Sequence, residues 1–173
     1  AKAIEADAAM LHLPTAIEAL ERGRGPLSVA FVRSGKDAIS GLAPTEVQEL
    51  VTQARDGLRD FQDKRTLAWT PDPSEAQPTW RAPMGQLPED WLADAQELDR
   101  LFTKLSRFAD ALVSAIPKED GGKAEPDDKL MRNLGRLVER LQDAAALWQR
   151  WARQDAAGWA PMARWWSSIT SRT

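Results

Sequence analysis

The sequence predicts an all-α fold in which a long antiparallel helical hairpin packs on a shorter helical base. Two long stretches carry apolar residues at alternating steps of three and four, which places those side chains on one face of an α-helix. A short glycine-bearing segment joins the two stretches, so the helices should run back alongside each other. The 173 residues, 43% of them hydrophobic, are enough for one domain with its own core.

We divide residues 1–173 into four segments of a single domain. Residues 1–69 form a helical base, 70–87 a proline-rich loop, 88–151 the helical hairpin, and 152–173 a tryptophan-rich return segment.

The base contains two short elements. Thr15 and Glu18 form a capping-box pattern, in which each side chain satisfies a backbone amide of the other residue, and this predicts a helix that ends near Gly23. Residues 26–40 fit either a strand or a helix. We favour a helix because the neighbouring segments are helical.

A second capping-box pattern, Thr45 with Gln48, predicts the longest helix of the base, which should reach about Lys64. Its apolar stripe consists of Val47, Val51, Ala54, Leu58 and Phe61. Three prolines between residues 71 and 78 then exclude a regular helix. Trp69 and Trp80 flank this loop and should attach it to the body.

The hairpin gives the strongest pattern. Its first helix should begin at Pro88 and end at Pro117, and residues 118–126 should form the loop at the tip. Each arm would be roughly 40 Å long. The stripe of the first arm is Trp91, Ala95, Leu98, Phe102, Leu105, Ala109, Leu112 and Ile116. The stripe of the second arm is Leu130, Leu134, Leu137, Leu141, Ala144, Trp148 and Trp151.

The return segment is unusual in its tryptophans. We expect Gly158 to end the second long helix and Pro161 to keep the following chain extended. Five of the eight tryptophans lie within 19 residues that span the end of the hairpin and the return segment: Trp148, Trp151, Trp159, Trp165 and Trp166. They would form a core where the hairpin meets the base, or an exposed apolar surface that contacts a neighbouring domain.

Composition excludes several kinds of chemistry. Without cysteine, the chain cannot carry a disulfide, an iron–sulfur cluster, a thiolate zinc site or a cysteine nucleophile. The one histidine, His12, has no partnering motif for a serine triad. The run Ser34–Lys36 fails as a phosphate-binding loop because Ala30 and Asp37 stand where glycine and a hydroxyl residue are needed. We therefore expect no catalytic site, metal or cofactor in this segment.

Basic residues line one face of the second long helix. Arginines that step by three or four, with tryptophans nearby, can follow a nucleic-acid strand through its charge and its bases. The alternative is a solvated helix face, and Glu139 and Asp143 would weaken the field of the arginines. The candidate nucleic-acid-binding residues are Lys129, Arg132, Arg136, Arg140, Arg150 and Arg153.

Three runs resemble one protein family. Residues 84–89, Met-Gly-Gln-Leu-Pro-Glu, open a long helix as in the arch region of the DinG helicases. Leu147-Trp148 resembles the end of the second long helix of that arch, and residues 160–165, Ala-Pro-Met-Ala-Arg-Trp, resemble its return to the motor domain. Residues 4–69 are similar in helix order and length.

The resemblance implies an accessory arch domain of an XPD-like, superfamily 2 DNA helicase. Such helicases use ATP, Mg²⁺ and an iron–sulfur cluster to move 5′ to 3′ on single-stranded DNA in repair or replication. The arch is inserted in the first motor domain and frames the strand with the iron–sulfur domain, so these domains and single-stranded DNA are the implied partners. A chromosomal DinG protein and a CRISPR-associated relative fit equally well.

The residues and the resemblance together predict an arch domain of an ATP-dependent helicase, and this domain should have no enzymatic activity by itself. The alternative is a stand-alone helical adaptor that binds a protein through its tryptophan-rich end or the hairpin flank. The chain starts at Ala1 without methionine, so we expect an excised segment. No apolar run approaches a membrane span, so we expect no membrane contact and a cytoplasmic location.

Overall fold

A computed structural model describes residues 26–68, 79–117, 128–155 and 162–167. Within these ranges the chain is mostly helical, and the all-α prediction is confirmed. The helices are α1 (Pro26–Ser34), α2 (Pro44–Ala68), α3 (Glu89–Ala115) and α4 (Asp128–Ala152). The expected helix after Thr15, together with Trp69 and Trp159, lies outside the described residues.

The hairpin consists of α3 and α4, which pack against each other along their apolar faces. Gln142 of α4 donates a 3.0 Å hydrogen bond to the Asp110 carboxylate, which is late in α3. At the opposite end, Trp91 at the start of α3 and Trp148 near the end of α4 both contact Phe61. The two arms therefore run antiparallel.

The stem of the hairpin is held by an aromatic cluster around Phe61 of α2. The Phe61 ring centroid lies 6.3 Å from that of Trp91, 5.0 Å from Trp148 and 5.9 Å from Trp151, each in an edge-to-face arrangement. Trp80 packs on Trp91 with ring centroids 4.3 Å apart. Phe61 is 1% exposed, so α2 is attached to both arms through one buried side chain.

Helix α1 confirms the helical interpretation of residues 26–40 for its first nine residues. Phe31 stacks on Phe108 of α3 with centroids 5.7 Å apart, and this contact fixes α1 against the hairpin. A tight turn follows, in which Ile39 and Leu42 exchange two 3.0 Å backbone hydrogen bonds. Ser40 and Gly41 between them both have positive φ, as a type I′ turn requires.

The predicted cap of α2 was wrong by two residues, because Ala43 and not Thr45 is the residue before the helix. The helix begins at Pro44, so Thr45 lies inside its first turn rather than at its cap. Glu46 instead accepts a 2.7 Å hydrogen bond from the backbone amide of Ala43, which is the carboxylate half of a capping box. Proline suits the first helical position because its fixed φ is already helical.

Two short strands join the loop and the return segment. β1 (Thr79–Arg81) pairs antiparallel with β2 (Trp165–Ser167), with Arg81 opposite Trp165. A 3₁₀ turn, Pro83–Gly85, then leads into α3. The return segment is extended over β2, in accord with the sequence. The two-stranded ribbon that β1 and β2 form is the one feature of the described ranges that an all-α description leaves out.

Helix α4 ends at Ala152, so the prediction that Gly158 ends it was wrong. At this end, the Arg164 side chain from the return segment donates hydrogen bonds to the carbonyl oxygens of Arg150 and Arg153. None of the helices in the described ranges combines the length and apolar character that crossing a membrane requires.

We predict that Phe61→Ala lowers the free energy of unfolding by about 3–5 kcal/mol, because it removes a buried ring and leaves a cavity between α2 and both arms. Urea denaturation followed by circular dichroism measures the change. The control is Val32→Ala on α1, where the side chain is 79% exposed and the effect should stay within about 0.5 kcal/mol. Equal losses in the two variants would contradict the assignment of Phe61 to the stem.

Candidate nucleic-acid interface

The predicted basic residues of α4 separate into two groups. Lys129 lies in the first turn of the helix, followed by Arg132, Arg136 and Arg140. Arg150 lies in the last turn, and Arg153 follows the helix. Residues 132 and 150 are about 27 Å apart along the helix axis, at 1.5 Å per residue. The six candidates therefore cannot act as one compact site.

In the first group, the side chain of Lys129 lies outside the described part of the structure, and the three arginines lie on the side of α4 that faces away from the core. Arg132 and Arg136 are exposed and Arg140 is partly buried. Among the described residues, Arg136 and Arg140 form no ion pair. Glu139 and Asp143 are exposed on the same helix, so the local excess of positive charge is small. The geometry agrees with the sequence pattern, and nucleic-acid contact by these residues stays a prediction.

The second group surrounds the buried Arg164, whose side chain is 4% exposed. Its Nη2 donates hydrogen bonds to the carbonyl oxygens of Arg150, at 3.4 Å, and Arg153. Carbonyl oxygens at the end of a helix lack partners within it, and a cation here also complements the helix dipole. A side chain from the return segment thus caps the second arm.

Arg164 also joins the return segment to the chain that leads into the hairpin. Its Nη1 donates to the carbonyl oxygen of Gly85 at 2.5 Å, while Ala82 N donates to the Arg164 carbonyl oxygen at 2.9 Å. Met84 and Gly85, in the turn that carries this carbonyl, both have positive φ. The resemblance rests partly on residues 84–89 and 160–165, and the structure brings these two runs into contact.

Asp155 balances the charge of Arg164. Its Oδ2 lies 3.0 Å from Nη1 of Arg164 and accepts a 3.1 Å hydrogen bond from the backbone amide of Met162. The Arg164 hydrogen bond, followed by the Met162 amide, lowers the pKa of the Asp155 carboxyl below its ordinary value. We call Arg164, Asp155 and the last turn of α4, with the backbone of residues 82–85, the stem joint.

A second buried arginine, Arg65, lies in the aromatic cluster. Its guanidinium carbon lies 4.3 Å from the Phe61 ring centroid and 4.2 Å from that of Trp91, so the cation is held between two rings. Nη2 lies 2.9 Å from Asp94. Burial lowers the pKa of Arg65, and the bond to Asp94 opposes that shift. Arg65 therefore adds a charged contact between α2 and α3 at the stem.

Neither buried arginine was predicted from the sequence. The α2 stripe runs through Leu58 and Phe61, and the next step of four reaches Arg65, so the period itself placed this residue on the buried face. The apolar period did not indicate that Asp94 would pair with Arg65. For Arg164, the signal was its position in the run that resembles the DinG return segment.

The tryptophans divide between the two predicted alternatives. Trp148 is buried and Trp151 is partly buried, so both belong to a core at the stem. Trp165 is 44% exposed, so it lies at the surface, and contact of this surface with a neighbouring domain stays a prediction. In the described ranges, no three histidine or carboxylate side chains come together as a metal site would need.

Comparison of the chain with models of known protein families gives no match, and neither does comparison with curated proteins.

We predict that Asp155→Asn destabilises the protein at pH 7 and that the difference from wild type disappears in acid. A carboxyl whose folded pKa is lowered contributes stability above its unfolded pKa of about 3.8, and this contribution is lost as the pH falls through the folded value. Thermal unfolding of both proteins between pH 7 and pH 2.5 measures the convergence.

The control for this prediction is Asp56→Asn, which removes an exposed 2.9 Å ion pair with Arg55. Exposed pairs contribute about 0–1 kcal/mol, so little change is expected. An Asp155→Asn protein as stable as wild type at pH 7 would show that Asp155 does not support Arg164.

Proposed function

We propose that this chain is an accessory arch domain of a DinG-type DNA helicase. Its role would be mechanical. A helical hairpin, rigid at its stem, would line the path of a single DNA strand and help to separate the duplex. The observation that carries the proposal is the stem joint. There Arg164 holds together the segment that enters the hairpin and the segment that leaves it.

The geometry of the stem suits a domain inserted in a larger protein. Such a domain needs its entering and leaving segments side by side, so that the far end can project away. β1 and β2 are adjacent, and both lie at the Trp91 end of α3 rather than at the Ala115 end. With 27 residues, α3 extends about 40 Å from this end.

The strand-contacting residues that we propose are those of the basic face of α4. Arginine binds phosphate through its fork of donors, and successive contacts raise affinity in a salt-dependent way. Arg132, Arg136 and Arg140 supply three such side chains along about 12 Å of helix. In the proposed parent protein, ATP hydrolysis, Mg²⁺ and the iron–sulfur cluster belong to other domains.

We predict that a chain carrying Arg132→Glu, Arg136→Glu and Arg140→Glu binds single-stranded DNA more weakly than wild type. The logarithm of its binding constant should also vary less steeply with the logarithm of the salt concentration, by about 0.7 for each phosphate that the variant no longer binds. Fluorescence anisotropy of a labelled oligonucleotide in a salt titration measures both quantities.

A matched control reverses the charge of three arginines elsewhere on the surface: Arg33, Arg55 and Arg59. This variant has the same net charge but keeps the α4 face, so its affinity should stay closer to that of wild type. If both triple variants lose affinity equally, net charge explains the effect. If the α4 variant binds like wild type, the proposed strand contact is wrong.

A further inference from the structure

We propose that Arg164 couples the ribbon to the end of the second arm, so that the two strands and the last turn of α4 open and close as one unit. A displacement of the return segment then releases the end of α4, while the aromatic cluster around Phe61 keeps the two arms together. This coupling operates in an arch domain and in a stand-alone protein alike, so it does not depend on the proposed function.

The guanidinium of Arg164 contacts two segments that are distant from its own in the chain. Nη2 donates to the carbonyl oxygens of Arg150 and Arg153 at the end of α4. Nη1 donates to the carbonyl oxygen of Gly85, in the segment that enters the hairpin. Removal of this side chain therefore takes contacts from the helix end and from the entering segment at the same time.

The backbone of Arg164 extends the ribbon. Its carbonyl oxygen accepts a 2.9 Å hydrogen bond from the amide of Ala82, directly beyond the pair of Arg81 with Trp165. Separation of the strands at this end moves either Arg164 or residues 82–85, and in both cases it breaks contacts of the guanidinium. One residue is thus held to the ribbon by its backbone and to α4 by its side chain, which is the geometry that couples the two elements.

Burial favours a complete opening over a partial one. The Arg164 side chain is 4% exposed, and its Nε already lacks a hydrogen-bond partner in the described structure. If only some of its acceptors moved away, more donors would be left unpaired and shielded from water, which is unfavourable. When all of the segments separate, water reaches the guanidinium instead. The contacts around Arg164 should therefore be lost together.

The aromatic cluster limits how far the opening extends. Trp148 is 3% exposed and packs edge-to-face on Phe61, with ring centroids 5.0 Å apart, so it keeps α4 in place up to residue 148. Trp151, in the last turn, is partly buried and also contacts Phe61. Opening of the stem joint gives up this second contact, so the joint stays closed most of the time.

Hydrogen exchange of backbone amides, followed by NMR, tests the common opening in the unmodified chain. The Ala82 amide reports on the ribbon through its bond to the Arg164 carbonyl oxygen, and the Ala152 amide reports on the last turn of α4. Both should exchange through one opening, with the same free energy and the same dependence on denaturant. Different opening free energies for these two amides would contradict the proposal.

A disulfide across the ribbon tests whether the coupling passes through Arg164. Thr79 and Ser167 are directly opposed at the far end of the ribbon, and the chain has no cysteine of its own. Thr79→Cys with Ser167→Cys therefore gives a single reversible crosslink. Oxidation should slow exchange of the Ala152 amide by about 10-fold or more relative to the reduced form of the same protein. In the Arg164→Met background, oxidation should leave exchange at Ala152 unchanged.

The matched control is Arg150→Gln. Arg150 enters the stem joint through its main-chain carbonyl, which the substitution keeps, and its side chain is exposed. The crosslink should therefore still slow exchange at Ala152 in this background.

Two results of the crosslinking experiment overturn the proposal. The first is a crosslink that does not slow exchange at Ala152 while Arg164 is present. The second is equal slowing with and without the Arg164 side chain, because the ribbon would then be coupled to α4 through other contacts, such as that of Trp80 with Trp91. If Arg164→Met fails to fold, Arg164→Lys replaces it. A compact ammonium group keeps the charge but lacks the fork of donors that reaches both segments, so the slowing should be weaker than with arginine.

Discussion

The hairpin depends on the packing of one ring, Phe61, against tryptophans from both of its arms. Trp91 lies near the start of the first arm, and Trp148 and Trp151 lie near the end of the second, so a single residue of α2 holds these two ends together. The arms then need only their apolar stripes to remain in register.

Two buried arginines add directional contacts to the apolar packing of the stem. A buried guanidinium is costly to desolvate, and its bonds to neighbouring groups offset part of that cost. In the described structure, Nε and Nη1 of Arg65 and Nε of Arg164 have no hydrogen-bond partner, so the cost is only partly offset. Arg65 is held by two rings and Asp94, and Arg164 by Asp155 and the carbonyl oxygens around it. Apolar contacts alone would tolerate a rotation or a shift of the return segment. These directional bonds favour a single arrangement of entering and leaving chain.

The helices were predictable because their apolar period is set by the core that each one faces. The two predictions that were wrong, the end of α4 and the cap of α2, depend on residues distant in sequence or on competition between neighbouring residues for the cap. The end of α4 is capped by the side chain of Arg164, which lies 11 residues beyond Arg153 in the chain. No sequence pattern near Gly158 indicates this contact. The α2 cap uses Glu46 instead of Thr45 because Pro44 already begins the helix. For the candidate site, the period located the exposed arginines of α4, but the pairing of Arg81 with Trp165 required the ribbon.

The proposal that this domain is one part of a larger helicase is tested most directly by the coding sequence on either side of it. An insertion predicts an open reading frame that continues in both directions, with a phosphate-binding loop and four cluster cysteines upstream of the segment and the remaining motor motifs downstream. A start codon immediately before Ala1 and a stop codon after Thr173 would contradict the proposal, and would favour a stand-alone helical adaptor.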